Sequence, residues 1–233
     1  ARELNIGFFS RMIRQRPWLR MKVAASLDGI TALDNGASQW ITSEAARTDG
    51  HRWRARAGAV LTGVGTVRED DPRLDVRLVP AQRQPMRVIV DSRLETPRQA
   101  RILAPPGEVL IYYASATGQD AEQFQTLGTQ LIALQNQAGK VDLAAMLEDL
   151  ARRGVNELHV EAGYRLNGSL LREGLVDEFL IYLAPKLLGG GRGMASFGPL
   201  QRLQDAVGLE ILGVERIGED LRIIAKPPGR AAF

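Results

Sequence analysis

The sequence predicts an α/β fold: a mixed, mainly parallel central sheet flanked by helices, with a C-terminal antiparallel hairpin. Three observations carry this. Short apolar runs alternate with helix-like segments along most of the chain, the pattern of parallel strands joined by crossover helices. A length of 233 residues, 45% of them hydrophobic and 24% charged, suits one large domain with a substantial core. The last two apolar runs, 209–216 and 221–225, flank Gly218-Glu219-Asp220, a turn that makes them antiparallel neighbours.

The elements follow in order. Residues 19–26 read as a strand ended by an Asp28-Gly29 turn, and Thr42 or Ser43 caps a helix running to about residue 56. Residues 58–62, 86–90, 109–113 and 130–134 are strands, each a short apolar run bounded by Gly, Pro or polar residues. Asp142 caps a helix over 143–153, which Gly154 ends. Residues 157–160 form another strand, followed after Gly163 by a helix that stops at Gly174 and then by a strand over 178–183. Residues 77–85 and 114–120 read as mobile connections. The expected organisation is a lead-in over 1–16, one domain over 17–226 and a tail over 227–233, with lead-in and tail also mobile.

Composition narrows the chemistry. No stretch approaches the roughly 20 apolar residues of a membrane helix. Cysteine is absent and the only histidines are His51 and His159, so a metal would have to rest on carboxylates; no metal site is expected. A cytoplasmic enzyme is the default reading. Only four of the 30 basic residues are lysines (Lys22, Lys140, Lys186, Lys226). Arginine's planar fork suits phosphate and carboxylate, although such a bias also arises from genome composition. The basic residues are scattered among 27 acids, so nucleic acid is not an expected partner.

Four stretches carry candidate chemistry. In Arg20-Met21-Lys22-Val23-Ala24-Ala25-Ser26, strand alternation puts Lys22 on one face beside small Ala24 and Ser26. That suits a lysine in a ligand cleft and a lysine on a solvated face about equally. Glu161 ends an apolar strand just before Gly163 and a helix start, where open α/β sheets place ligand-binding groups and where free helix amides suit a pyrophosphate. Gly63-Val64-Gly65-Thr66 follows a strand as a phosphate turn would, but the third glycine of a dinucleotide fingerprint is replaced by Arg68, and Asp71-Pro72 stops any long helix. Asp91-Ser92-Arg93 closes an apolar strand. In a dinucleotide fold that acid meets ribose, and Ser92 with Arg93 would favour a 2′-phosphate. The glycine-rich stretch 187–194 reads as a flexible turn with a secondary binding role, since it lacks the Lys-Ser/Thr ending of a phosphate loop.

Taken in order, "RPWLRMKVAASLDG…ASQWIT", "LTGVGTVREDDPRLDVR", "RVIVDSR", "HVEAG" and "DEFLIYLAPKLLGGGRG" resemble the reductase domain of riboflavin biosynthesis, from about Arg16 to Lys226. The resemblance implies a dihydrofolate-reductase-like fold and NADPH-dependent reduction of 5-amino-6-(5-phosphoribosylamino)uracil to its ribitylamino product, usually in a homodimer. It implies Lys22 and Glu161 beside the reacting ribose carbon. Substrate positions carried over are Ser38, Arg54, Leu74 and Arg77, together with Glu161. Cofactor positions are Ala24, Trp40, Thr66, Asp70, Ser92 and the turn Gly163, Tyr164, Arg165, Leu166, Asn167, Gly168 and Ser169, with Arg93 added by its place beside Ser92. Ile30 stands where the family has arginine, and Tyr164-Arg165 replaces a more compact pair. "ELNIGFFSRM" resembles the end of the zinc deaminase half of a bifunctional chain, so a C-terminal portion fused to such a deaminase is expected. A related pterin or pyrimidine reductase and a non-catalytic NADP-binding module are the alternatives.

Overall fold

In a computed structural model the chain is described over residues 3–116, 124 and 128–230. It divides into two compact units, one formed by residues 1–18 with 51–160 and one by 19–50 with 161–233. The expected connection at 114–120 and the expected tail therefore lie partly outside the described residues.

In the first unit the strands are β3 (Ala59–Gly63), β4 (Met86–Val90), β5 (Val109–Tyr113), β6 (Gln130–Ala133) and β7 (Glu157–Val160). All pair in parallel, in the order β7-β3-β4-β5-β6, with Val60 beside Arg87 and His159 and Ile111 beside Leu131. Their continuous apolar runs are what strands covered on both faces require. Val60, Ile89, Val109, Ile111, Ile102 and Phe124 form one buried cluster. Burying a side chain of this kind contributes about 1.5–3 kcal/mol. Arg87 is the exception within β4. Its guanidinium is buried but donates to the carbonyls of Ile102, Pro105 and Gly107, at 2.7, 2.6 and 2.9 Å, and so fixes that loop.

Helix α4 of this unit (Leu143–Arg152) starts as expected, with the Asp142 carboxylate accepting from the Ala145 amide at 2.9 Å. Leu143, Met146, Leu147 and Leu150 form its buried face. Gly154, at φ 87°, follows its end in the left-handed region that glycine supplies.

Two helices were not expected. The lead-in contains α1 (Ile6–Arg14), whose Gly7 lies so close to residues 156–157 that a Cβ would sit 2.5 Å from the Glu157 Cγ. Arg11 Nε donates to Asn156 Oδ1 at 2.6 Å. The stretch read as a phosphate turn is helix α3 (Val64–Asp70), entered from Gly63 at an ordinary φ of −103°. Its buried Val67 joins the apolar cluster, and Asp71-Pro72 ends it.

In the second unit β1 (Trp18–Ser26, one residue longer than expected) pairs in parallel with β8 (Glu178–Ala184). Strand β8 then pairs antiparallel with β11 (Asp220–Lys226), which forms the predicted hairpin with β10 (Glu210–Ile217). The strands are therefore mixed and mainly parallel, with flanking helices. Helix α2 (Glu44–Arg56), of which residues 44–50 belong to this unit and 51–56 to the first, opens at Ser43, whose hydroxyl accepts from the Ala46 amide at 3.3 Å. Helix α5 (Tyr164–Arg172) follows Gly163. The glycine-rich stretch 187–194 is not a free turn. Its β9 (Arg192–Gly193) pairs with β2 (Ile30–Ala32), and a Cβ on Gly191 would meet the Ala32 carbonyl oxygen at 2.2 Å.

Candidate active site

Strand β1 turns Met21, Val23 and Ala25 into the core and leaves Lys22 and Ala24 half-buried on the opposite face. Glu161 lies at the residue after β7. The Lys22 Nζ stands 3.6 Å from Glu161 Oε2, with the two side chains 22% and 13% exposed. Lys22 is thus a partly buried lysine beside a carboxylate. The ammonium is also 5.9 Å from the centre of the Tyr182 ring, a contact with no local signature in the sequence.

The turn from Gly163 to Ser169 splits into two groups. Tyr164 is half-buried and Arg165 exposed, and the Tyr164 ring has the guanidinium groups of Arg165 and Arg192 at 5.5 and 5.7 Å. Arg165 Nε also donates to the Tyr164 hydroxyl at 3.1 Å. Asn167 and Gly168 face inward. Asn167 donates to the Met194 carbonyl at 3.0 Å, and a Cβ on Gly168 would lie 1.8 Å from the Ser196 carbonyl oxygen. Leu166 and Ser169 are half-buried, and the Ser169 hydroxyl turns back to the Arg165 carbonyl. Gly163 keeps an ordinary φ of −72°, so the turn does not demand glycine's left-handed freedom. Ser38 is half-buried, and Trp40 is exposed with the Arg47 guanidinium 4.5 Å above its ring.

The remaining expected residues lie in the first unit. Arg54 donates to the Asp75 carbonyl at 3.0 Å, and the His51 Nδ1 accepts from the Arg77 amide at 3.2 Å. The Asp75 carboxylate accepts from Arg73 and Arg77 at 3.0 and 2.7 Å. Burial pushes the Asp75 carboxyl up, but these two guanidinium groups outweigh it and hold it below its ordinary value. The Leu74 side chain turns to the core. The residue adopts φ 51°, is 3% exposed and packs into the cluster with Val60 and Ile89.

Thr66 and Asp70 are half-buried on α3. Asp91 is consumed by its own turn, accepting from the Thr96 amide and hydroxyl at 2.7 Å each, so it is no ribose ligand. Ser92 Oγ accepts from the Val141 amide at 3.3 Å, whereas the Arg93 side chain is 80% exposed. His51 and Asp75 were missed as supports of this loop because they meet it only through folding. Among the described residues, no cluster of three or more His, Cys, Asp or Glu could hold a metal ion, and no helix is long and apolar enough to cross a membrane.

The parallel strands with flanking helices and the terminal antiparallel hairpin make this an α/β fold, and comparison with known proteins shows which family it belongs to. The model of the RibD C-terminal domain family matches residues 17–223. This chain belongs to that family. It is 39% identical over 234 residues to the riboflavin biosynthesis protein RibD of Escherichia coli, covering 95% of this chain and 63% of that protein. The Aquifex aeolicus RibD is 37% identical, with 97% and 62% covered. Acinetobacter baumannii RibD has the same fold at a TM-score of 0.85 and 35% identity, over 97% of this chain and 62% of that one. A Thermotoga maritima diaminohydroxyphosphoribosylaminopyrimidine deaminase/5-amino-6-(5-phosphoribosylamino)uracil reductase shares the fold at a TM-score of 0.82 and 24% identity, over 97% and 61%. The chain thus spans under two thirds of the length of these relatives.

Proposed function

We propose that this domain reduces 5-amino-6-(5-phosphoribosylamino)uracil to 5-amino-6-(5-phosphoribitylamino)uracil, with NADPH as the reductant. The observation that carries the reading is the Lys22–Glu161 pair at 3.6 Å in a chain of the RibD C-terminal domain family. The substrate comes from the activity that the Thermotoga maritima relative's name states.

The residues fit a phosphorylated dinucleotide. Two guanidinium groups flank Tyr164 at the start of α5, and the exposed Arg93 fork beside Ser92 suits a 2′-phosphate. Bound NADPH supplies a hydride to C1′ of the ribose. The chain's part is to handle the proton and the charge. The Lys22 ammonium donates a proton or stabilises charge at the ribose ring oxygen if the C1′–O4′ bond opens, or at the imine nitrogen if the open-chain form is reduced. Glu161 holds that ammonium in place. Arg54 and Arg77 are assigned to the substrate phosphate, and Ser38 to the substrate as well. Ala24, Trp40, Thr66 and Asp70 are assigned to the cofactor. Leu74 can contribute through its backbone only, because its side chain is in the core.

A cytoplasmic homodimer is part of the proposal. The hairpin supports self-association, because Ile211, Leu212 and Val214 expose apolar side chains along β10. Fusion to a zinc deaminase is supported by the greater length of the relatives. The test of the function is NADPH oxidation in parallel assays. Oxidation on adding the ribosylaminouracil phosphate, and none with dihydrofolate, is expected. The reverse result would assign the domain to a pterin reductase.

A further inference from the structure

We infer that Tyr182 is a positioning residue for the Lys22 ammonium, locked in place by Asp49 and Arg222. The inference rests on the proposed reduction for its catalytic meaning, but its geometry stands alone. In the strand register Tyr182 lies opposite Ala24 on one side and Arg222 on the other. Lys22, two residues before Ala24, therefore shares its face of the strands. The ring lies 5.9 Å from the Lys22 Nζ, within reach of a cation–π attraction.

The ring is not free to turn away. Tyr182 is 1% exposed, and its hydroxyl donates to Asp49 Oδ2 at 2.7 Å. Arg222 donates to the same Asp49 oxygen at 2.8 Å and to Glu215 Oε2 at 2.6 Å. Burial, and then the hydrogen bond to Asp49, push the phenol up, so it keeps its proton and keeps donating.

Core filling alone would be met by phenylalanine, without desolvating a carboxylate and a guanidinium. Anchoring the hairpin does not require the network either, because the Ser43 amide and hydroxyl already donate to Asp220 at 2.8 and 2.6 Å. What the tyrosine adds is a fixed π-face beside the ammonium. The other charged groups around Lys22 are Glu161 after β7 and the buried Arg20–Glu178 pair on β1 and β8. Asp49 of α2, Arg222 of β11 and Glu215 of β10 lie behind the ring.

The test compares Tyr182→Phe, which keeps the ring but frees it, with Tyr182→Leu, which removes the π-face. The readouts are the pH profile of single-turnover reduction at saturating NADPH, the NADPH Kd, and amine labelling. Labelling follows Lys22 by peptide mass spectrometry against Lys140 in the same sample. In Tyr182→Leu we expect the alkaline limb to move to lower pH and Lys22 to label about threefold faster or more, with Tyr182→Phe in the same direction but smaller. The NADPH Kd should stay at the wild-type value. A superimposable pH profile with unchanged relative labelling would overturn the inference and leave Tyr182 a core residue. If the wild type reduces no candidate substrate, the functional reading fails, and the labelling ratio alone decides the positioning role. Circular dichroism is the check that both variants fold, and Asp49→Asn, which weakens the lock without touching the ring, should reproduce the smaller effect.

Discussion

Lys22 of β1 and Glu161 after β7 meet with Nζ and Oε2 3.6 Å apart, both shielded from most solvent. At that distance the carboxylate restrains a lysine whose four-carbon stem would otherwise sample many positions. A fixed ammonium is what developing negative charge on a ribose oxygen needs, because its benefit is realised in the transition state and little is lost to reorganisation.

Arg54 should act on binding more than on chemistry. Replacing Arg54 by Ala is expected to raise KM for the phosphorylated substrate by about tenfold or more while kcat holds, the signature of uniform binding. Steady-state kinetics check this. If Arg54 only braced the Asp75 carbonyl, to which it donates at 3.0 Å, stability would fall with KM unchanged.

Gly168 should be intolerant of any side chain. A Cβ would lie 1.8 Å from the Ser196 carbonyl oxygen, a backbone atom that cannot swing aside. Gly168→Ala is expected to lose about 1–3 kcal/mol or more in urea unfolding, as overpacking does. Ser169→Ala, which loses only bonds within its own helix, to the Arg165 carbonyl and from the Arg172 guanidinium, should stay close to wild type. Equal stability of the two variants would mean that α5 does not pack on residues 194–196 as described.

Acid should weaken the first unit through Asp75. Its carboxyl is held below its ordinary value, and a group depressed in the folded state adds stability above the unfolded value, about pH 4. That contribution is lost as pH falls through the lower folded value. Thermal unfolding from pH 7 to 3 should therefore show a steep acid limb that Asp75→Asn flattens, at the cost of lower stability at pH 7. An identical acid limb in the variant would contradict the pairing with Arg73 and Arg77.

Much of this could be read in the sequence, for reasons that differ by element. The parallel strands were legible because strands covered on both faces must be apolar throughout, and Asp142 was legible because its cap is local. Helix α1 was not, because Asn5 at its start makes no side-chain cap and its buried residues are only Ile6, Gly7 and Ser10. Helix α3 hid behind Gly63-Val64-Gly65, which reads as a turn until Val67 finds the apolar cluster. The burial of Leu74 was not legible, because its left-handed φ of 51° after Asp71-Pro72 leaves no pattern along the chain. In the site, Lys22 and Glu161 stood out as charges in apolar strands. Tyr182 and Asp49 did not, since a buried tyrosine bonded to a distant aspartate leaves no pattern along the chain.

The central claim is that Lys22 serves the chemical step, and the most direct test is single-turnover NADPH oxidation by Lys22→Ala with substrate and cofactor both saturating. We predict a loss of about 10²- to 10⁴-fold in rate with NADPH binding retained. A variant that turned over at the wild-type rate would contradict the account.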